Sequence, residues 1–353
     1  MLKKGMKRFV LLSLLALLPA LLVVALYVIK DPFRVVKPYS GKVYNPGDTL
    51  ALTINWGNVT IESYEYFDPE KHYDSFIFGS SLSGYYRIQD WQRHLPAGAR
   101  PFHFNASRET LYGILNKLKY LTAHGAKISN ALIIMEDEML MRQPLDHDVL
   151  FVQPPQTTRD VSWWEFHQLY FNAYRRPELI AYLLCPQPMT QKMLDEGYAT
   201  TDITTRIEPI NEGYYRQADS LIAVNPSEFF TPEHLARFTL PLKELPCDDK
   251  ITVPVEAVLK AIATILKQHG ADYQVIIPPH YGYEAIGSSD LYQLEQIFGQ
   301  DRVHDFSHDP QMGTDLHYYY DDGHLVAQAC AQLMDSAYHA VTLPSPYLKA
   351  SKR

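Results

Sequence analysis

Cysteine is scarce in this chain. Cys185, Cys247 and Cys330 are the only three in 353 residues, and their spacing matches no metal site. Cys330 falls inside an apolar helical pattern and reads as an inert core residue. Cys185 and Cys247 would be free to pair in an oxidising compartment, and spacing alone leaves that disulfide open. Positive charge is also short: 32 Lys and Arg stand against 40 Asp and Glu, for a net charge of −8. A nucleic-acid binder needs a basic face, so that class is set aside. There is no glycine-rich phosphate loop, no dinucleotide fingerprint and no internal repeat, so no cofactor is implied. No His/Cys/Asp/Glu spacing argues for a metal. The set Asp305, His308, Asp309, Asp315 and His317 is the nearest approach to one.

What the chain does have begins at its N-terminus. Lys3, Lys4, Lys7 and Arg8 precede an uncharged run from Phe9 to Ile29, long enough to cross a bilayer as a helix. No small-x-small cleavage signal closes the run before Lys30, so a retained anchor is expected rather than a cleaved signal peptide. The preceding cations put the N-terminus in the cytoplasm and everything after about residue 30 outside it. Residues 1–30 are thus read as tip and anchor, in contact with membrane lipid through residues 9–29. Residues 31–72 are read as a proline-interrupted lead-in, with an edge strand over Thr49–Asn55.

From Tyr73 onward, strands and helices alternate. Phe76–Phe78, Arg100–Ala106, Ala131–Met135, Tyr273–Pro279 and Arg302–Phe306 read as strands. Leu82–Leu95, Thr110–Thr122, Val253–His269, Ser289–Phe298 and Leu325–Tyr338 read as helices. This alternation predicts a flavodoxin-like three-layer α/β/α domain over 73–345 with a central parallel sheet. A large, mostly helical insertion interrupts it at about 138–250, and 346–353 is a tail. Trp163–Leu184 within the insertion forms one long or two short aromatic helices, read as core packing rather than a glycan platform.

Two short motifs carry chemistry. Gly79-Ser80-Ser81 follows the first strand, where a serine hydroxyl is presented at a strand-to-helix turn. Asp321-Asp322-Gly323-His324 precedes the last helix, and a carboxylate three residues before a histidine can fix its tautomer. A helix cap would explain either motif alone. Their order and placement resemble the SGNH (GDSL-like) hydrolase superfamily, over roughly residues 73–136 and 273–338. With one N-terminal membrane segment, the Gly-Ser-Ser variant looks like that superfamily's anchored branch. This branch includes the accessory proteins of teichoic-acid D-alanylation and alginate O-acetylation, and membrane-anchored SGNH-type proteins of Bacteroidetes.

The resemblance implies a triad of Ser81, His324 and Asp321 acting on an ester. Water would then release the acyl group, giving an esterase, or a sugar hydroxyl would take it, giving an O-acyltransferase. It further implies an acylated envelope glycan or its acyl donor as substrate, and a membrane-bound O-acyltransferase as a candidate partner. Oxyanion donors would come from the Ser81 N–H and from around Ser107 and Arg108. The family's third donor, an Asn after the third strand, is absent; Met135-Glu136-Asp137 stands there. An ionised carboxylate cannot donate, and losing one donor costs on the order of a hundredfold in rate. This departure keeps a second reading open, a non-catalytic envelope protein that binds a glycan or a membrane acyltransferase. Among other histidines, His280 is the nearest rival base, followed by His304, His308 and His317.

Overall fold

The computed structural model describes residues 2–44, 48, 50–142, 146–201, 205–214, 216–238, 249–282, 285–321 and 323–338. Asp322, Cys247 and the tail 346–353 lie outside these. Helix α1 spans Leu2–Lys30, and its residues 6–30 are apolar and long enough to cross a membrane. Asp31 terminates it. Its carboxylate accepts the N–H groups of Val35 at 2.9 Å and Lys37 at 2.8 Å, which turns the chain back sharply.

The lead-in contains a core helix that its sequence hides. Helix α2, Trp56–Lys71, is capped by the Asn55 side chain, which accepts the Asn58 N–H at 3.1 Å. Its buried positions include the polar Asn58, Thr60 and Ser63 beside Val59, Ile61 and Tyr64, so no apolar stripe marks it, and Pro69 sits in its last turns. The expected edge strand shrinks to Ala51–Leu52. It pairs antiparallel with Ala199–Thr200 of the insertion, away from the central sheet.

The sheet has five parallel strands. β1 (Ser75–Gly79), β2 (Pro101–Asn105) and β3 (Asn130–Ile134) alternate with helix α3 (Leu111–Ala123). The insertion then contributes α4 (Trp163–Tyr174), α5 (Pro177–Leu184), α6 (Pro186–Asp195) and α7 (Arg216–Val224), so the aromatic stretch is two helices. Helix α8 (Val253–Gln268), β4 (Asp272–Ile277), α9 (Ser288–Phe298), β5 (Val303–Asp305) and α10 (Ala327–Ala337) complete the alternation. The spatial order is β2-β1-β3-β4-β5, the 2-1-3-4-5 arrangement whose switch point lies between β1 and β3.

The pleat sorts side chains by parity. Phe76, Phe78, Phe102, Phe104, Ile133 and Val275 face α2, α3, α8 and α9. Ile77, Leu132, Ile134 and Ile276 face α10 and part of the insertion. Both faces are buried, as a parallel sheet requires. A third apolar cluster joins the end of α1 to the insertion. Tyr27 packs against Phe171 and Tyr174, with ring centres 5.5 and 5.0 Å apart, and Phe33 packs against Tyr170 at 5.4 Å.

The expected helix over Leu82–Leu95 is instead three short pieces: a 3-10 turn at Ser81–Tyr85, a helical turn at Ile88–Trp91 and a 3-10 turn at Gln92–His94. Ser83, Tyr85, Tyr86, Ile88 and Trp91 are all buried. At 100° per residue these five point around the whole helix circumference, and one α-helix lying on a sheet cannot bury them together.

Glu62 on α2 carries a testable consequence. Burial, reinforced by the carboxylates of Glu65 and Asp31, raises its carboxyl to about 7. In the unfolded chain it ionises near its ordinary value of roughly 4.3. Between those values the unfolded state is charged while the folded state holds the proton, so stability falls as pH rises across that window. Glu62→Gln should therefore raise the melting temperature at pH 8 by roughly 3–6 °C and change little at pH 4.5. Equal shifts at both pH values would rule out this ionisation as the cause.

Candidate active site

The carboxyl end of β1 is built for a tight exit. A β-carbon on Gly79 would meet Ser83 Cβ at 2.6 Å and Ile134 Cβ at 3.2 Å, so only glycine fits. Ser80 and Ser81 then diverge. Ser80 is 1 % exposed. Its hydroxyl accepts the Leu82 N–H at 3.1 Å and donates to the Glu136 carboxylate. Ser81 is exposed. Burial thus selects Ser81 as the hydroxyl open to a reactant, and gives Ser80 a structural role. Beneath them, the Ser83 hydroxyl donates to the Ser80 carbonyl at 2.7 Å and lies 3.0 Å from His103 Nε2. With that hydroxyl hydrogen committed, His103 Nε2 must carry the proton. Burial, with Arg206 and Lys117 adding, pushes this imidazole down to about 3, so it stays neutral.

The other half of the site is a closed turn ahead of α10. Tyr319 and Leu325 form an isolated antiparallel bridge, and the Tyr320 N–H donates to the His324 carbonyl at 2.7 Å. Inside this turn, Asp321 Oδ1 accepts the N–H groups of Gly323 at 2.9 Å and His324 at 2.7 Å. The Asp321 oxygens lie 2.8 and 2.9 Å from His324 Nδ1. On the opposite side of the ring, His324 Nε2 lies 3.2 Å from Ser81 Oγ. Burial works to raise the Asp321 carboxyl. The His324 ring and the two backbone N–H groups outweigh it and hold the carboxyl below its ordinary range. The turn differs from the expected helix start: His324 stands three residues ahead of α10, and the bridge holds the motif.

Aromatic and insertion contacts buttress this turn. The Tyr85 ring sits 5.5 Å from the His324 ring and 4.7 Å from Tyr320. The Tyr320 hydroxyl and the Arg87 guanidinium both bond Asp219 of α7. The insertion therefore braces the residues on either side of the Ser81–His324 contact.

A cleft of about 180 Å³ opens at Ser81, bordered by Arg108, Glu136, Arg142, Pro279 and His280. Glu136 stands after β3, across the switch point from Ser81. It is 7 % exposed, and its second carboxylate oxygen takes the Arg142 guanidinium at 2.9 Å. Arg142 also bonds Glu138 at 2.8 Å and the Glu109 carbonyl at 2.8 Å. Burial raises the Glu136 carboxyl, with Arg142 acting against it. The acidic block after the third strand is thus a neutralised pair with one carboxylate on Ser80. Glu138 and Arg142 are four residues apart, which hinted at an ion pair, but nothing local signalled the contact to Ser80.

The sequence-predicted donors separate. Arg108 borders the cleft, whereas Ser107 lines a neighbouring cavity of about 340 Å³ that shares Arg108 and Arg142 with it. Arg108 adopts a left-handed backbone at φ 50° and stacks 4.9 Å over Phe151 of the insertion. Of the rival histidines, only His280 borders the cleft. His304 bonds Gln274 at 2.8 Å, His308 bonds Asp305 at 2.7 Å and His317 bonds Asp315 at 2.6 Å. Among the described residues, no three His, Cys, Asp or Glu side chains converge as a metal site. Cys185 is an exposed free thiol and Cys330 a buried one. Compared with known proteins, the chain matches no family model and no curated sequence.

Proposed function

We propose that this chain is a membrane-anchored serine acyl esterase or O-acyltransferase of the SGNH type. The observation that carries the reading is the hydrogen-bonded sequence Ser81–His324–Asp321, with 3.2 Å from hydroxyl to ring and 2.8 Å from ring to carboxylate. Ser81 Oγ attacks the ester carbonyl while its proton passes to His324 Nε2. The departing alcohol takes that proton and leaves an acyl group on Ser81. A water or a sugar hydroxyl then attacks, gives its proton to His324, and Ser81 Oγ leaves with it. Asp321 holds the Nδ1–H tautomer and stabilises the imidazolium formed at each transition state. The Arg108 guanidinium brings positive charge to the border of the cleft, whereas that of Arg142 is taken up by Glu136 and Glu138.

The apolar helix α1 supports an anchor, and the cations ahead of it support an inside N-terminus with the catalytic domain outside the cytoplasmic membrane. The substrate, an acylated envelope glycan or its acyl donor, follows from the superfamily resemblance. The small cleft at Ser81 suits a short acyl group.

Glu136 favours the second reading, a glycan- or acyltransferase-binding protein without turnover, because it occupies the place of an oxyanion donor. Hydrolysis of p-nitrophenyl acetate separates the two. The wild-type chain should release p-nitrophenol, and Ser81→Ala should lower the rate on the order of a thousandfold. Equal rates from the two proteins would favour the binding reading.

A further inference from the structure

We propose that His280 is an acceptor-binding residue that directs the acyl group on Ser81 to a polyhydroxylated acceptor rather than to water; this rests on the function proposed above. His280 follows Pro278-Pro279 at the carboxyl end of β4, and it borders the same cleft as Ser81. Its Nδ1 lies 2.9 Å from the Tyr281 carbonyl oxygen. A carbonyl only accepts, so Nδ1 carries the hydrogen. In the neutral ring Nε2 then carries a lone pair, with no hydrogen-bond partner among the described residues, and is a hydrogen-bond acceptor. That atom lies 4.0 Å from where a β-carbon would sit on Gly323, the residue before His324. His280 thus borders the cleft at Ser81 while its Nε2 approaches the turn that carries His324, and among the described histidines it is His324 whose Nε2 reaches hydrogen-bond distance of Ser81.

The chemistry assigns them separate hydroxyls. In acyl transfer, the attacking hydroxyl gives its proton to His324 Nε2, its oxygen bonds the acyl carbon, and the Ser81 oxygen departs with that proton. His280 makes and breaks no covalent bond. Its Nε2 accepts a hydrogen bond from a neighbouring hydroxyl of the same acceptor and holds the attacking oxygen in line. A sugar or polyol offers two such hydroxyls; water and a monohydric alcohol do not. Proximity gained this way raises the share of transfer over hydrolysis.

The test uses the full chain in detergent, p-nitrophenyl acetate as donor, and methyl glucoside or 1-propanol as acceptor. Acetyl ester and free acetate are counted, and the p-nitrophenol burst reports acylation of Ser81. Asparagine can keep the donor to the Tyr281 carbonyl while lacking the distal acceptor, whereas glutamine can reach the distal position with an acceptor oxygen. His280→Asn should lower the preference for methyl glucoside over 1-propanol about tenfold, the loss of one hydrogen bond. That preference is a ratio of two esters drawn from the same acyl-Ser81, and so is independent of the acylation rate. His280→Gln should recover part of that preference. An unchanged preference in His280→Asn, or wild-type acylation without transfer to methyl glucoside, would each overturn the assignment. A wild-type chain with no burst would instead overturn the function on which it rests.

Discussion

Replacing Asp321 with asparagine should lower acyl transfer by about 10³- to 10⁴-fold while leaving the fold intact. The amide is nearly isosteric, so it can still accept the Gly323 and His324 N–H groups. It can also donate to His324 Nδ1, which would stabilise the wrong tautomer and remove the lone pair's rightful place at Nε2. The charge that balances the imidazolium disappears with it. Because the Asp321 carboxyl is held below its ordinary range, it is ionised throughout the neutral region. Any stability it adds is present above roughly pH 4 and lost as pH falls through its depressed value. An acid limb in the rate near neutrality therefore belongs to another group. Steady-state hydrolysis of p-nitrophenyl acetate, with circular dichroism as the fold control, measures the effect. A folded Asp321→Asn within tenfold of wild type would remove Asp321 from the mechanism and direct attention to Asp322 or His280.

The second large effect is expected at Arg142. Its guanidinium is the cation on the buried Glu136 carboxylate, and their side chains are 14 % and 8 % exposed. Arg142→Ala strands that carboxylate, which should cost about 3–5 kcal/mol in urea unfolding at pH 8. The cost should shrink as pH falls, because Glu136, already raised by burial, takes up a proton once its partner is gone. Glu136→Gln combined with Arg142→Ala should lose much less than Arg142→Ala alone, since the two residues form one unit. A pH-independent loss of under 1 kcal/mol would show that the pair does not hold this end of β3.

The runs Phe76-Ile77-Phe78, Ala131 to Ile134 and Val275-Ile276-Ile277 were legible because strands buried on both faces read as unbroken apolar runs. Helices α3 and α8 were legible because their apolar residues keep to one stripe. The mixed α/β class with a central parallel sheet followed from that alternation. Helix α2 was not legible, because Asn58, Thr60 and Ser63 are buried on it and break the stripe. The mixed apolar and polar spacing after Ser81 reads as one helix, but burial of Ser83, Tyr85, Tyr86, Ile88 and Trp91 around the whole circumference divides it into three short turns. For the site, the Asp321–His324 spacing is local and legible, whereas the choice of Ser81 over Ser80 rests on the superfamily resemblance. The meeting with Ser81 across 243 positions is a product of topology. Glu136 was legible only as a missing donor. Its bond to Ser80 and its neutralisation by Arg142 depend on β1 and β3 being neighbours, which no local pattern encodes.

The central claim is that Ser81 is a nucleophile activated by His324. Its most direct measurement is labelling of the full chain with a fluorophosphonate, followed by peptide mapping. The account predicts one adduct on Ser81, abolished in Ser81→Ala and slowed at least a hundredfold in His324→Ala. No adduct on the folded wild-type chain, or an adduct that persists in Ser81→Ala, would contradict it.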